Sequence, residues 1–213
     1  MGDIQTLTVA EYRALSPFRR LLYRLYRNPV VLFGLGPGYL FYVQNRIPLG
    51  LMAQAKYWIS AMGTNAAILG ALALIFYFGG IMPILLIFLP STLLAGSAGI
   101  WLFYVQHQFE TAHWENGESW QLHEAALHGS SHYVLPRALQ WLSANIGIHH
   151  VHHLHSRIPF YRLPEVMAAI PEVQHPQTTS LLPRDVADCF RLALWDTHQG
   201  KLVSFREARA DAA

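Results

Sequence analysis

The sequence predicts an all-α integral membrane protein: one clear transmembrane hairpin, a re-entrant or interfacial segment before it, and a cytoplasmic helical cap rich in histidine. Three observations carry that expectation. Hydrophobic residues make up 53% of the chain and charged residues only 13%, about half the usual charged share of a soluble globular protein. The stretch from Tyr57 to Phe109 passes without one Asp, Glu, Lys or Arg, which is longer than the core helix of a soluble protein needs. Most of the 12 histidines lie between His107 and His155, and residues 149 to 155 read HHVHHLH.

The same composition excludes several classes. With 213 residues and no internal composition shift, the chain is read as one domain, 1–213. A net charge of +2 with no long basic tract argues against a nucleic-acid partner. The single cysteine, Cys189, rules out an internal disulfide framework and a thiolate cluster for zinc.

Taken in order, residues 1–27 begin with acids and no apolar core, so they are not a secretory signal. TVAEYRALSPFRRLLYRLYR sets apolar positions at helical spacing with Arg19, Arg20, Arg24 and Arg27 between them. That pattern is an amphipathic surface helix, resting either on an anionic membrane or on a soluble core. Residues 28–56 contain NPVVLFGLGPGYLFYVQN, uncharged but marginal for a span needing about 20 residues. GLGPG at 34–38 is expected to break a helix there, so the segment reads as re-entrant or interfacial, with a true span as the alternative.

Residues 57–109 have room for two spans of about 20 residues each, with YFGGIMP at 77–83 as the turn. A hairpin returns both ends to one side. The arginines before it, with Arg137, Arg157 and Arg162 after it, place that side in the cytoplasm. Tyr57, Trp58, Trp101, Phe103 and Tyr104 fit an aromatic belt at the same depth. Residues 110–213 then form the cytoplasmic histidine-rich region and tail.

His107 closes the second span in WLFYVQHQFE, which places it to meet the HHVHH run at one membrane surface. If NIGIHHVHHLHSRI is helical, His149, His152 and His153 stand at i, i+3 and i+4 on one face while His150 points elsewhere. Three imidazoles on one face suit zinc, copper, iron or nickel; the bland alternative is a solvated histidine tract. His128 and His132 in ALHGSSHY share i, i+4 spacing, but Gly129 lies between them and the pair reads as structural, with His132 kept as a weaker ligand candidate. Within the spans of this stretch the polar residues are the scattered Ser60, Thr64, Asn65, Ser91, Thr92 and Ser97, with no ionisable residue in mid-span, which speaks against a transport path.

The HHVHH run fits the HxxHH pattern of the last histidine box of the integral-membrane fatty acid desaturases. NIGIHHVHHLHSRIPFYRLPE resembles that box with its flanks, WLFYVQHQFE is similar to the segment after the second hairpin in the bacterial branch, and GDIQTLTVAEY resembles the stretch after the middle box. RLALWDTHQGKLVSFREARA resembles the family's tail, where Trp195 and Phe205 are expected to pack. The resemblance spans essentially the whole chain. It departs in one respect: the two earlier boxes, of HDxGH and HxxHH type, and the first hairpin have no match here. The expectation is therefore a C-terminal part, either from an internal start or as a half that pairs with a chain supplying the missing boxes.

That resemblance implies O2-dependent desaturation of a fatty acyl chain at two non-haem irons on the cytoplasmic face of the inner membrane. It implies His149, His152 and His153 as iron ligands, and His107 as the histidine after the hairpin. Glu110, one turn on, is expected either to orient a ligand histidine or to be a plain surface charge. The implied partners are a membrane lipid or acyl substrate and an electron donor of ferredoxin or cytochrome type. Alone, the chain is expected to be inactive. The alternatives are a related di-iron hydroxylase or ketolase, and a non-enzymatic metal-binding membrane protein.

Overall fold

The computed structural model describes residues 4–51, 53–112 and 121–210, and the side chain of Leu122 is not described. The parts of the expected segments 1–27, 28–56 and 110–213 that fall on residues 1–3, 52, 113–120 and 211–213 lie outside the described residues. The chain divides into two compact units, Met1–Leu25 with Leu102–Ala213, and Tyr26–Trp101. Most of the described chain is helical.

The expected N-terminal helix is a strand and two helices. Strand β1 (Leu7–Thr8) leads into α1 (Val9–Ala14). Thr8 caps it: the Glu11 N–H donates to Thr8 Oγ1 at 3.1 Å, and the Thr8 N–H donates back to the Glu11 carboxylate at 2.8 Å, a capping box that satisfies two orphan donors. Leu15 turns extended, and Pro17 opens α2 (Pro17–Tyr26) where its missing N–H costs nothing. Phe18, Leu21, Leu22 and Leu25 form an exposed apolar stripe at i, i+3, i+4 and i+7, while Tyr23 on the other face is buried.

In the second unit, GLGPG does not break the helix. A π-helical turn at Val31–Leu35 runs directly into α3 (Gly36–Tyr42). Pro37 has no N–H for the carbonyl of Phe33 four residues back, and the wider turn relieves the clash of its ring. The freed Phe33 carbonyl accepts instead from Ser97 Oγ at 2.7 Å, the repair that an apolar surrounding demands. Helix α4 (Ala55–Gly79) follows, ending at Gly80 with φ of 69°. A second π turn at Ile84–Phe88 then enters α5 (Leu89–His107). Ala55–Gly79 and Ile84–His107, of 25 and 24 residues, are long and apolar enough to cross a membrane. The reversal at Gly80 falls within the expected YFGGIMP turn.

The division between units falls inside α5. Beyond it come α6 (Leu122–His128), β2 (His132–Val134), α7 (Arg137–Leu142), α8 (His149–Leu154), α9 (Leu163–Ala169), β3 (Thr178–Ser180), α10 (Pro183–Arg191), β4 (Leu192–Asp196), β5 (Lys201–Ser204) and α11 (Glu207–Ala210). The all-α expectation thus omits five short strands. Strand β4 is the centre of a small sheet, parallel to β1 and antiparallel to β5. The β4–β5 reversal is an Asx turn in which Asp196 Oδ1 accepts from the N–H groups of His198 and Gln199 at 2.8 and 3.1 Å. Leu194 and Val203 on this hairpin are buried with Tyr12 and Tyr23, and Phe205 packs against them. The Tyr23 hydroxyl ties the pieces, donating to the Ala193 carbonyl at 2.8 Å and accepting from the Leu7 N–H at 3.1 Å.

Strands β2 and β3 pair in parallel, and this pair sets the start of α8. The Tyr133 N–H donates to the Gly147 carbonyl at 2.8 Å. A Cβ on Gly147 would stand 2.4 Å from the Tyr133 carbonyl oxygen, so only glycine permits this approach. Below α8, Ile148, Val151, Leu163 and Val173 form a buried cluster.

Candidate metal centre

Helix α8 is six residues long and has two characters. His150 and Val151 are buried with His149, whereas His153 is exposed. The His150 Nε2–H donates to the Val173 carbonyl at 2.9 Å, so His150 anchors the helix and points away from its neighbours, as its position in the run leads one to expect.

His107 ends α5 with its ring set by its own helix. Its Nδ1–H donates to the Phe103 carbonyl at 2.8 Å, and its ring lies against that of Phe103 with centroids 4.5 Å apart. Holding Nδ1 as the donor leaves the Nε2 lone pair outward. Across from it stand His149 and His153. His153 Nε2 lies 3.1 Å from His107 Nε2 and 3.1 Å from His149 Nε2, and the ligand atoms of all three lie within 4.8 Å of one another.

Hydrogen bonding alone does not explain this cluster. With His107 Nε2 bare, any neutral tautomer of His149 and His153 leaves one 3.1 Å contact without a hydrogen between its nitrogens. A cation at the shared point satisfies all three lone pairs together. Imidazoles bound about 2.1 Å from one ion and at right angles would place their nitrogens about 3.0 Å apart, close to the two contacts made by His153, with the third pair within 4.8 Å. The donor set therefore fits a nitrogen-ligated transition metal.

Electrostatics favour the same form. Burial, reinforced by the imidazoles of His107, His153, His152 and His150, pushes His149 down from 6.5 to about 2. It is neutral at physiological pH, the state a ligand requires. His149 Nδ1 is buried with no hydrogen-bond partner among the described residues, so none of these supplies the outer acceptor that usually orients a metal-bound imidazole.

The other candidates are placed differently. His152 stacks on His149 with centroids 5.7 Å apart, next to the three-histidine set but outside it. His132 sits on β2 with its ring 6.2 Å from that of His150, its pKa lowered by burial and then by His150. The helix that His128 and His132 would need to share ends at His128, with Gly129 as its cap. The Glu110 carboxylate accepts from Lys201 Nζ at 2.8 Å on the surface and touches no histidine among the described residues. One contributor has no motif of its own: Phe103, whose signal is an aromatic four residues before a helical histidine.

Comparison with known proteins identifies the family. A family model described as fatty acid desaturase matches residues 1–182. Over 205 residues the chain is 43% identical to a protein of Bacillus subtilis (strain 168) named fatty acid desaturase, in an alignment covering 96% of this chain and 57% of that protein. The chain thus spans little more than half the length of this relative.

Proposed function

Since this chain belongs to the fatty acid desaturase family, we propose that it supplies His107, His149, His152 and His153 to a two-iron centre that uses O2 and two electrons to place a double bond in a fatty acyl chain. The observation that carries this reading is the convergence of the Nε2 atoms of His107, His149 and His153. Non-haem iron supplies the oxidising power, absent from any side chain, to remove two hydrogens from an unactivated hydrocarbon. The protein's part is position and protonation state. Phe103 fixes the His107 ring with its lone pair outward, the buried surroundings of His149 keep it neutral, and Val173 holds His150 so that its neighbours face the site.

In this reading a chain carrying the two earlier histidine boxes supplies further ligands, and the acyl substrate arrives from the membrane. Electrons come from a donor of ferredoxin or cytochrome type at the cytoplasmic face. The two long apolar helices support a multi-pass membrane location.

The test is to measure iron bound to the purified chain and new double bonds in host membrane lipids, with and without a co-expressed chain carrying the HDxGH and middle HxxHH boxes. Iron in the wild type, its loss in His149→Ala, and unsaturation in the complemented strain are expected. Iron without product in either strain favours the non-enzymatic metal-binding reading, and hydroxylated or ketone products favour a related hydroxylase or ketolase. No iron and no product ends the proposal.

A further inference from the structure

The second unit, Tyr26–Trp101, contains Arg27, Arg46 and Lys56 but no Asp or Glu. Any counter-ion for these cations must come from outside the unit. Arg46 is the informative one. Its Nη1 donates to Asn65 Oδ1 at 3.1 Å, Asn65 Nδ2 donates to the Arg46 carbonyl at 2.8 Å, and its Nε is buried with no partner among the described residues. A neutral amide thus holds the guanidinium in place, and one of its donors remains unused. Leaving a buried charged donor unpaired is costly.

Arg46 and Asn65 line a cleft of about 640 Å³ whose other walls are almost wholly apolar, a volume in the range of small-ligand sites. Along α4, Asn65, Ile68, Leu69 and Leu72 share one face at i, i+3, i+4 and i+7. The polar end is separated from Leu72 by about 10 Å of helix. Phe41 and Phe88 line the cleft, and a hydrogen bond between Tyr42 and Thr92 joins two of its walls. The cleft is therefore amphipathic along its length, with a cation at one end and hydrocarbon walls at the other.

We propose that this cleft binds a phosphate-bearing membrane lipid, its anionic headgroup paired with Arg46 and one acyl chain against Ile68, Leu72 and Phe88. Guanidinium is suited to phosphate because its planar donors match the oxyanion in pairs. Asn65 presents Arg46 in this role, accepting from Nη1 and so holding the guanidinium at the polar end of the cleft. The site is independent of the histidine cluster and of the reaction assigned to it.

Native mass spectrometry of the full chain released from detergent tests this, with phosphatidylglycerol and phosphatidylcholine titrated separately. Saturable retention of phosphatidylglycerol above phosphatidylcholine is expected in the wild type. Arg46→Gln should weaken it by about tenfold, the equivalent of one charge-assisted hydrogen bond, and Arg46→Lys, which keeps the charge but not the paired planar donors, should recover only part of it. Leu72→Trp, which fills the apolar end, should weaken both lipids. Equal, unsaturable retention of the two lipids by the wild type overturns the proposal whatever the variants do. So does a lipid-free dimer, in which a second copy covers the cleft, or a preference for free fatty acid over both phospholipids.

Discussion

At His149 burial coincides with the proposed metal ligation. Its ring is held neutral by burial and by four neighbouring imidazoles, and its Nε2 belongs to the three-nitrogen set. Removing it takes away one ligand of the proposed centre. Iron content of His149→Ala should fall by more than about tenfold, since even outer partners of a metal site are worth about 10–100-fold in affinity; elemental analysis of the purified protein reads this directly. The lowered pKa also has a stability sign. In the metal-free chain the unfolded state takes up a proton near pH 6.5, whereas the folded His149 does not until about 2. Stability is therefore complete above pH 6.5 and declines as pH falls through that value toward 2. His132 and His150, both lowered chiefly by burial, add in the same direction. Denaturant melts of metal-free protein at pH 7.5 and 5.5 should show the lower midpoint at 5.5, and a flat profile would contradict the burial of these rings.

At the scale of elements, two close approaches decide where helices lie. The first is Gly147 against the Tyr133 carbonyl, where an added Cβ would meet backbone at 2.4 Å. Gly147→Ala must separate β2 from the start of α8, two residues before His149. We expect a loss of about 1–3 kcal/mol, as for overpacking elsewhere, with a parallel loss of bound iron. The second is Ser97, which replaces the hydrogen bond that Pro37 cannot donate to Phe33. Ser97→Ala should cost about 1 kcal/mol, the scale of hydrogen bonds between membrane helices, seen as a lower midpoint in detergent-denaturant unfolding. Ser97→Thr keeps the hydroxyl and should recover most of that loss. These elements also mark where pattern reading falls short. GLGPG contains four residues that disfavour helix, three glycines and a proline, yet α3 forms because a π turn and a serine from α5 absorb the defect. The strand pair β4–β5 was hidden in RLALWDTHQGKLVSFREARA because its runs are short, and they become a sheet only under the cover of Tyr12, Tyr23 and Phe205.

For the whole molecule, the relevant prediction is its solvent. Leu69, Leu74, Phe76 and Phe78 on α4, with Leu86, Ile87 and Leu94 after the reversal, are exposed, and so is the stripe of Phe18, Leu21, Leu22 and Leu25 on α2. Such surface is stable in lipid and not in water. The expressed chain should sediment with membranes, resist alkaline carbonate and enter solution only with detergent; release by carbonate would mean that the long helices do not span. The sequence by itself determined the two long apolar helices and the turn between them, because the absence of charge over a membrane's thickness is a local property of the chain. It also determined that His149 and His153 lie on one helical face, because i, i+4 spacing does. Only the tertiary structure decided that His107 joins them while His152 stacks outside and Glu110 pairs with Lys201. Those choices depend on how α8 is seated by Gly147, Val173 and the β2–β3 pair, contacts between residues distant in sequence that no local periodicity encodes.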